Sequence, residues 1–352
     1  AYSITSGYHS SSTGTIEIKF LKESSNVAYD GTSTWDNVSG QGKWNVHPAF
    51  NYGQEVSGIW VAKFEASPEG ATTSTSNSEY NGTGKKLQVK PGVSSWRSIT
   101  ISNIYDVCKN YNSALNSHMM KNDEWGAVAY LSKSKYGKQN AEVDINSDSS
   151  YYTGGGSGNA YVTNVGQSTT GTVHGVYDMS GGAWEYVAAY VNNGNSNLTN
   201  YGSSLVNGDA KTKNVYNKAS SDNNTNNYNA NSGKYGDAVY ETSANGNSSS
   251  SSWYGDYSIF PYTSVPFFIR GGSCDNGSDA GVFYFDGHNG GSGGSLRSVR
   301  SWSHFNVTLK YTSKTHIKAL KLLKNDKIND KSFKSVAKRL KTRNRSSTIL
   351  HL

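Results

Sequence analysis

Residues 175–186 read Gly-Val-Tyr-Asp-Met-Ser-Gly-Gly-Ala-Trp-Glu-Tyr, and no other stretch of the chain is as distinctive. The glycine pair Gly181-Gly182 permits a positive φ or a close approach of two backbones. Trp184 and Tyr186 are large side chains that can close a core short of aliphatic residues. The segment therefore indicates a scaffold in which tight backbone packing adjoins an aromatic core.

The composition around this segment is polar and aromatic. Of the 352 residues only 34% are hydrophobic and 17% charged, while 38 are glycine and 25 tyrosine. Such a chain buries a core built largely from aromatic side chains and leaves long polar loops. Tyrosine, serine, asparagine and glycine are also favoured in binding loops, because they give large or adaptable contacts at low entropic cost.

The net charge is unevenly distributed along the chain. Residues 310–345 contain thirteen basic and two acidic residues, a net charge of +11, so the remainder carries −4 of the chain's total of +7. The body is mildly acidic, and nothing in it indicates a nucleic-acid partner. No apolar run reaches the roughly 18 residues of a membrane span, so we expect no membrane insertion.

Hydrophobic periodicity predicts a small set of elements. Residues 15–20 alternate as a strand, and residues 58–65 are apolar enough for a central strand. A helix capped by Ser102 is predicted over about 103–119, with Ile104, Val107, Cys108, Tyr111, Leu115 and Met119 on one face. A second helix is predicted from about Asn122 to Lys133. Residues 138–172 and 191–257 have few apolar residues and are predicted as long surface loops.

A second signature lies near the end of the body. Residues 267–273 read Phe-Phe-Ile-Arg-Gly-Gly-Ser and predict a strand that ends in a glycine pair. Residues 281–287 predict a further strand. Alternation along it places Phe283 and Phe285 on a buried face and presents Tyr284 and Asp286 outward.

Together these stretches resemble the formylglycine-generating-enzyme (sulfatase-modifying-factor) superfamily. Residues 175–186 are similar to its glycine-rich segment ending in Trp-Glu-aromatic, Arg270-Gly271-Gly272-Ser273 to its RGGS strand end, and residues 60–65 to its early strand with a basic residue and a glutamate. The resemblance implies an α+β fold of the C-type-lectin-like type, with short twisted β-sheets, two helices and long Gly/Asn/Ser/Tyr-rich loops. The expected organisation is a strand or linker at 1–46, the domain at 47–305 and a basic tail at 306–352.

The Tyr-, Gly-, Asn- and Ser-rich composition of the chain resembles that of the versions of this domain that phages and prophages of Firmicutes carry on tail fibres or other virion surfaces. In receptor-binding domains of this fold the ligand surface follows the RGGS strand. The resemblance therefore implies that the corresponding loop of this chain, within residues 275–295, binds a glycan or a protein. The candidate ligand-binding residues are Asp275, Asn276, Ser278, Asp279, Tyr284, Asp286, His288 and Asn289.

The residues give little support to catalysis. Enzymatic relatives use a pair of cysteines after the RGGS strand together with copper, whereas this chain has only Cys274 there, and Cys108 lies far upstream. The eight histidines show no metal-binding spacing, and no nucleophile elbow, zincin motif or P-loop is present. We therefore expect no enzyme, no catalytic residues and no cofactor. A structural calcium ion stays open, at Glu142, Asp144 and Asp148 or at residues 275–279.

Three hypotheses remain for the function. The leading one is a non-catalytic receptor-binding protein, located on a virion surface or outside the cell, that recognises a host glycan or protein. The second is a structural fibre or decoration subunit whose partners are other virion proteins, or copies of itself in a homo-oligomer. The third is a metal-dependent oxidase of the formylglycine-generating type. The basic tail is either a docking segment or an extension without a selected role.

Overall fold

The computed structural model describes residues 2–6, 14–18, 47–52, 56, 58–75, 81–231, 234–239, 241–242, 247–248, 250–291 and 297–305. The chain divides into two units after Phe305, and the second unit, residues 306–352, lies outside the described residues together with the predicted basic tail. The three predicted domain ranges stay predictions.

The described part is an α+β structure in which sheets predominate and helices are few. No helix in these residues is long and apolar enough to span a membrane. The helices are α1 (Ile101–Lys109), α2 (Asn122–Ser132), α3 (Ser196–Asn200), α4 (Ser203–Asn207) and α5 (Asn224–Asn229). The strands are β1 (Tyr2–Ser6), β2 (Thr15–Ile18), β3 (Gly58–Val61), β4 (Ala66–Pro68), β5 (Leu87–Val89), β6 (His118–Met119), β7 (Trp184–Asn192), β8 (Asn214–Asn217), β9 (Asn247–Ser248), β10 (Ser258–Ile259), β11 (Phe267–Arg270), β12 (Phe285–His288), β13 (Arg297–Val299) and β14 (Ser301–Phe305).

The largest sheet in these residues has the order β13-β7-β11-β12-β10-β9, and β8 also pairs with β7. Its centre is buried on both faces. Phe268 and Phe285 pack into a core cluster on one side, whereas Phe267, Ile269 and Tyr186 pack into a second cluster on the other. The strand predicted before the glycine pair is confirmed as β11; all four of its residues are buried, and it lies between β7 and β12.

The α2 helix confirms the prediction almost to the residue. The sequence predicted one packing face, yet every residue from Asn122 to Tyr130 is buried. Trp125 is fully buried, and its Nε1 donates to Val282 O at 2.7 Å. The helix is therefore a component of the core rather than a cover on it.

The first predicted helix is wrong in length and in its cap. It begins after Thr100, whose side chain accepts from Asn103 N at 3.3 Å, and it ends at Lys109 rather than near Met119. Tyr111 and Leu115 continue the helical spacing, yet they are 45% and 36% exposed. The Asn- and Ser-rich sequence after Lys109 prefers turns, because these side chains compete for backbone groups.

The strand predicted at residues 58–65 is neither long nor central. It comprises only β3, which lies at one end of the sheet β3-β14-β6 among the described residues. Trp60 is 42% exposed there. Ile59 and Val61 pack against the core, so the apolar run reflects one buried face and one large exposed ring.

The predicted loop 191–257 is wrong as a structureless segment, since it contains α3, α4, α5 and β8. Its asparagines act as helix caps: Asn195 accepts from Asn197 N at 2.9 Å, and Asn223 accepts from Asn226 N at 2.9 Å. The strand β8 runs parallel to the end of β7. Composition alone does not reveal these elements. Asparagine is frequent in turns, but it is equally favoured as the N-cap residue of a helix.

Candidate functional site

Residues of the early apolar segment and of the glycine-rich segment meet in a buried charged cluster around Arg300. Arg300 is fully buried, and its guanidinium donates to Ala62 O and Tyr177 O, each at 2.7 Å. It also pairs with Glu185 Oε1 at 2.6 Å. One arginine therefore ties the early strand, the glycine-rich segment and β7 to the end of the domain. These hydrogen bonds are short because the donor is a charged guanidinium group.

Two more carboxyl groups complete this cluster. Asp178 accepts from Gly154 N at 2.9 Å and from Asn146 Nδ2 at 3.1 Å, and so fixes the loop 138–172. Glu65 accepts from Ala183 N at 2.9 Å. Burial raises the pKa of Glu65, of Asp178 and of Glu185, the last to about 7, although Arg300 opposes each shift. The distinctive sequence segment therefore serves the scaffold.

Arg270 lies opposite Glu185 in the sheet, but no bond joins the two side chains. The two residues are paired across β11 and β7, but Arg300 occupies the carboxylate. Arg270 Nη2 instead donates to Ala238 O at 3.2 Å, and Nη1 lies 3.5 Å from Asn122 Oδ1. Arg270 therefore anchors a loop carbonyl rather than a carboxylate.

Tyr284 is buried, and its predicted outward presentation is wrong. Only 2% of it is exposed, and its hydroxyl accepts from Trp184 Nε1 at 3.0 Å. Its ring stacks on Tyr257 with centroids 5.5 Å apart. The expectation treated one face of residues 281–287 as open, but the sheet is covered on both faces, and the strand begins only at Phe285.

Residues 275–279 form a turn stabilised by their own side chains. Asn276 Oδ1 accepts from Ser273 N at 2.7 Å, and a short 3₁₀ turn follows at Gly277–Asp279. Asp275 and Ser278 are exposed, and Asp279 accepts from Ser250 Oγ at 3.1 Å. The Ser273 hydroxyl also accepts from Asp275 N at 3.4 Å, the bond that serine side chains make in such turns. The turn leaves Asp275 and Ser278 facing solvent.

The other predicted residues lie along β12. Asp286 is partly exposed next to Phe285 at the start of the strand. His288 Nδ1 lies 2.6 Å from the Tyr186 hydroxyl and accepts from Gly290 N at 3.1 Å, so its ring is engaged in the scaffold. Asn289 is exposed beyond the strand, and its Oδ1 accepts from Gly291 N at 2.9 Å.

The structure adds two aromatic residues to the predicted set. Trp184 and Tyr257 are partly exposed, and both contact Tyr284. We define the candidate surface as Trp184, Tyr257, Asp275, Ser278, Asp279 and Asp286. Trp184 stands in the distinctive segment, where sequence analysis assigned it to the scaffold. Tyr257 carries no sequence signal, because only the folded chain brings it beside residues 279–285.

Carboxylates dominate the electrostatics of the candidate surface. Burial raises the pKa of Tyr257 to about 12, and the negative charges of Asp286 and Asp279 add to this shift. The pKa of Tyr284 is raised by the same causes, burial first and then Asp286. The surface therefore offers aromatic faces, hydroxyl groups and hydrogen-bond acceptors in a negative field.

The two thiols do not fit the copper-binding cysteine pair of formylglycine-generating enzymes. Both are free cysteines, and they lie in different parts of the core. Cys108 packs on the α1 side of the sheet, whereas Cys274 packs with Tyr151 and Ala183. Burial raises the pKa of each thiol, which opposes the thiolate form that binds a soft metal ion.

The acidic residues considered for calcium are divided among separate partners. Glu142 pairs with Lys133 at 2.9 Å, and Asp144 pairs with Lys138 at 2.8 Å. Within the described ranges no group of three or more His, Cys, Asp or Glu side chains is arranged to hold a metal ion. These carboxylates therefore act in ion pairs that anchor the ends of the loop after α2.

Comparison with known proteins finds no family model and no curated relative that matches this sequence.

Proposed function

We propose that this chain is a non-catalytic binding module with a C-type-lectin-like fold of the formylglycine-generating-enzyme type. It acts on a virion surface or outside the cell and recognises a host glycan or protein through the candidate surface. Two of the three motif segments support the fold proposal, since Ala62, Tyr177 and Glu185 all bond to the buried Arg300.

The binding proposal rests on one observation, namely that a buried residue supports the aromatic rings of the candidate surface. Trp184 and Tyr257 are partly exposed rings held against the buried Tyr284, which lies beside the large sheet. Such rings offer contact area without a large loss of side-chain entropy on binding. Asp275, Ser278 and Asp286 add acceptors and a donor that suit sugar hydroxyl groups or polar protein groups. Rigid elements also hold such groups more precisely than free loops do.

The test is binding of the labelled full chain to intact Firmicutes cells and to a printed glycan array. We expect the triple variant Asp275→Ala/Ser278→Ala/Asp286→Asn to bind about tenfold or more weakly, the loss typical of truncating central contacts. These three side chains are at least partly exposed, so the variant should keep the thermal midpoint of the wild type. A Tyr284→Ala variant would not separate a loss of binding from a loss of stability, since Tyr284 is buried.

The matched control is Tyr136→Ser, which removes a ring that is 56% exposed on the turn after α2, outside the candidate surface. It should bind like the wild type. Equal binding by the triple variant would exclude the candidate surface. A chain that binds no cell or glycan but assembles on virion particles would instead indicate the structural subunit. Each assay is repeated with EDTA, and sensitivity to it would add a calcium ion to the proposal.

A further inference from the structure

Residues 256–258 form a short segment that supports the candidate surface through backbone hydrogen bonds. Tyr257 N donates to Asp279 O at 2.9 Å, and Phe285 N donates to Tyr257 O at 3.2 Å. Ser258 continues this contact by pairing with Phe285 between β10 and β12. Residues 256–258 are thus attached to both ends of residues 279–285, the turn that places Tyr284 and Asp286.

The side chain of Asp256 fills the inside of that turn. Its Oδ2 accepts from Phe283 N at 2.8 Å, and only 2% of the residue is exposed. A Cβ atom added at Gly281 would lie 2.1 Å from Asp256 Oδ1, so the carboxyl group and the glycine backbone fit closely. The turn itself closes with Tyr284 N donating to Gly281 O at 3.0 Å.

The charged groups around Asp256 leave it without a direct counter-ion. Lys133 pairs with Glu142, and Arg270 bonds to Ala238 O. No salt bridge found among the described residues includes Asp256. Burial therefore raises the pKa of Asp256 to about 8; Glu142 adds to the shift, while the Phe283 hydrogen bond, Lys133 and Arg270 oppose it.

We propose that Asp256 is a positioning residue for the candidate surface, and that its ionisation loosens the turn at residues 281–284 and weakens ligand binding above neutral pH. The uncharged carboxyl group accepts the Phe283 hydrogen bond without the cost of a buried charge. The ionised group gains by hydration, and water reaches it only if the turn opens. The inference rests on the proposed function for its effect on a ligand, but not for its effect on the turn.

The raised pKa of Asp256 makes the turn less stable as the pH rises. A carboxyl group whose pKa is higher in the folded state stabilises that state fully below its unfolded value, ordinarily near 3.8, and loses this contribution as the pH rises through about 8. With a pKa of about 8 only about a tenth of the groups stay protonated at pH 9. If the protonated form alone holds the turn, affinity falls about tenfold between pH 7 and pH 9.

The experiment measures binding to the same Firmicutes cells at pH 6, 7, 8 and 9 for the full chain and for Asp256→Asn. Hydrogen exchange of the amides at 283–286, corrected for the intrinsic pH dependence, is followed in parallel without any ligand. We expect wild-type affinity and amide protection to fall together above pH 7. Asp256→Asn, which keeps an acceptor but does not titrate in this range, should vary less than about twofold.

Two comparison variants separate positioning from general stability. Asp256→Ala removes the acceptor of Phe283 N and should bind weakly at every pH, so that the asparagine rescues what the alanine loses. Asp286→Asn, on the candidate surface itself, should keep the wild-type pH dependence. An equal decline in wild type and Asp256→Asn, or no decline in either, would overturn the inference. If no cell binds at any pH, the proposed function fails, and the exchange data alone decide whether Asp256 holds the turn.

Discussion

Replacing Arg300 with methionine is expected to lower the free energy of unfolding by about 3–5 kcal/mol, the cost of breaking a buried ion pair on one side. The substitution keeps much of the side-chain volume but removes the hydrogen bonds that the guanidinium donates to Ala62 O, Tyr177 O and Glu185 Oε1. The buried carboxyl groups of Glu65, Asp178 and Glu185 would all lose the arginine whose charge opposes the rise of their pKa values. Urea unfolding at pH 7, followed by tryptophan fluorescence, measures the loss.

The control for this prediction is a double-mutant cycle with Glu185→Leu. Removing both charges avoids the unpaired buried carboxylate, so Arg300→Met/Glu185→Leu should lose clearly less stability than the sum of the single variants. Additive losses would show that the ion pair is not coupled in the folded protein. A loss below about 1 kcal/mol for Arg300→Met would place this arginine in contact with solvent, contrary to its complete burial.

The second large effect is expected for Gly181→Ala, at the glycine pair of the distinctive segment. Gly181 has φ of 75°, and a Cβ atom there would lie 2.5 Å from Asn146 O. The substitution therefore adds a backbone collision to the strain of a left-handed conformation. We expect a loss of about 3 kcal/mol or more in the free energy of unfolding, measured by the same urea experiment.

Gly70→Ala is the matched control for this substitution. Gly70 also has a positive φ, 83°, but an added Cβ atom would meet nothing within 4 Å. It isolates the conformational strain, which should cost about 1 kcal/mol. If both variants lose the same amount, the close approach of Gly181 to Asn146 does not contribute, and the packing of the glycine pair against the loop 138–172 has to be reconsidered.

Much of the central scaffold could be predicted from the sequence. The α2 helix and β11 are where periodicity placed them, because each combines an uninterrupted apolar pattern with a clear end. An apolar pattern and its ends are local properties of the sequence, so they indicate that an element forms, whereas the strands that pair with β11 are set by the fold.

The wrong predictions for α1, for residues 58–65 and for Tyr284 have the same physical cause. Whether the pattern of α1 continued past Lys109, whether residues 58–61 lay at the centre of a sheet, and whether Tyr284 was exposed all depended on what packs against each segment. Periodicity reports which side chains share a face, but it does not report whether that face meets solvent or another layer. Tyr284 alternates with Phe285 as expected, yet Trp184 from a distant strand covers it.

The sequence by itself determined the polar and aromatic composition, the acidic body with its basic end, α2, β11 and the glycines that permit tight turns. Only the tertiary structure decided that Arg300 rather than Arg270 neutralises Glu185, that Asp256 lies inside the turn before β12, and that Trp184 and Tyr257 join Asp286 on one surface. Those partners are far apart along the chain. Which of several arginines or aromatic rings reaches a given group is therefore settled by the packing of the sheets and not by local sequence.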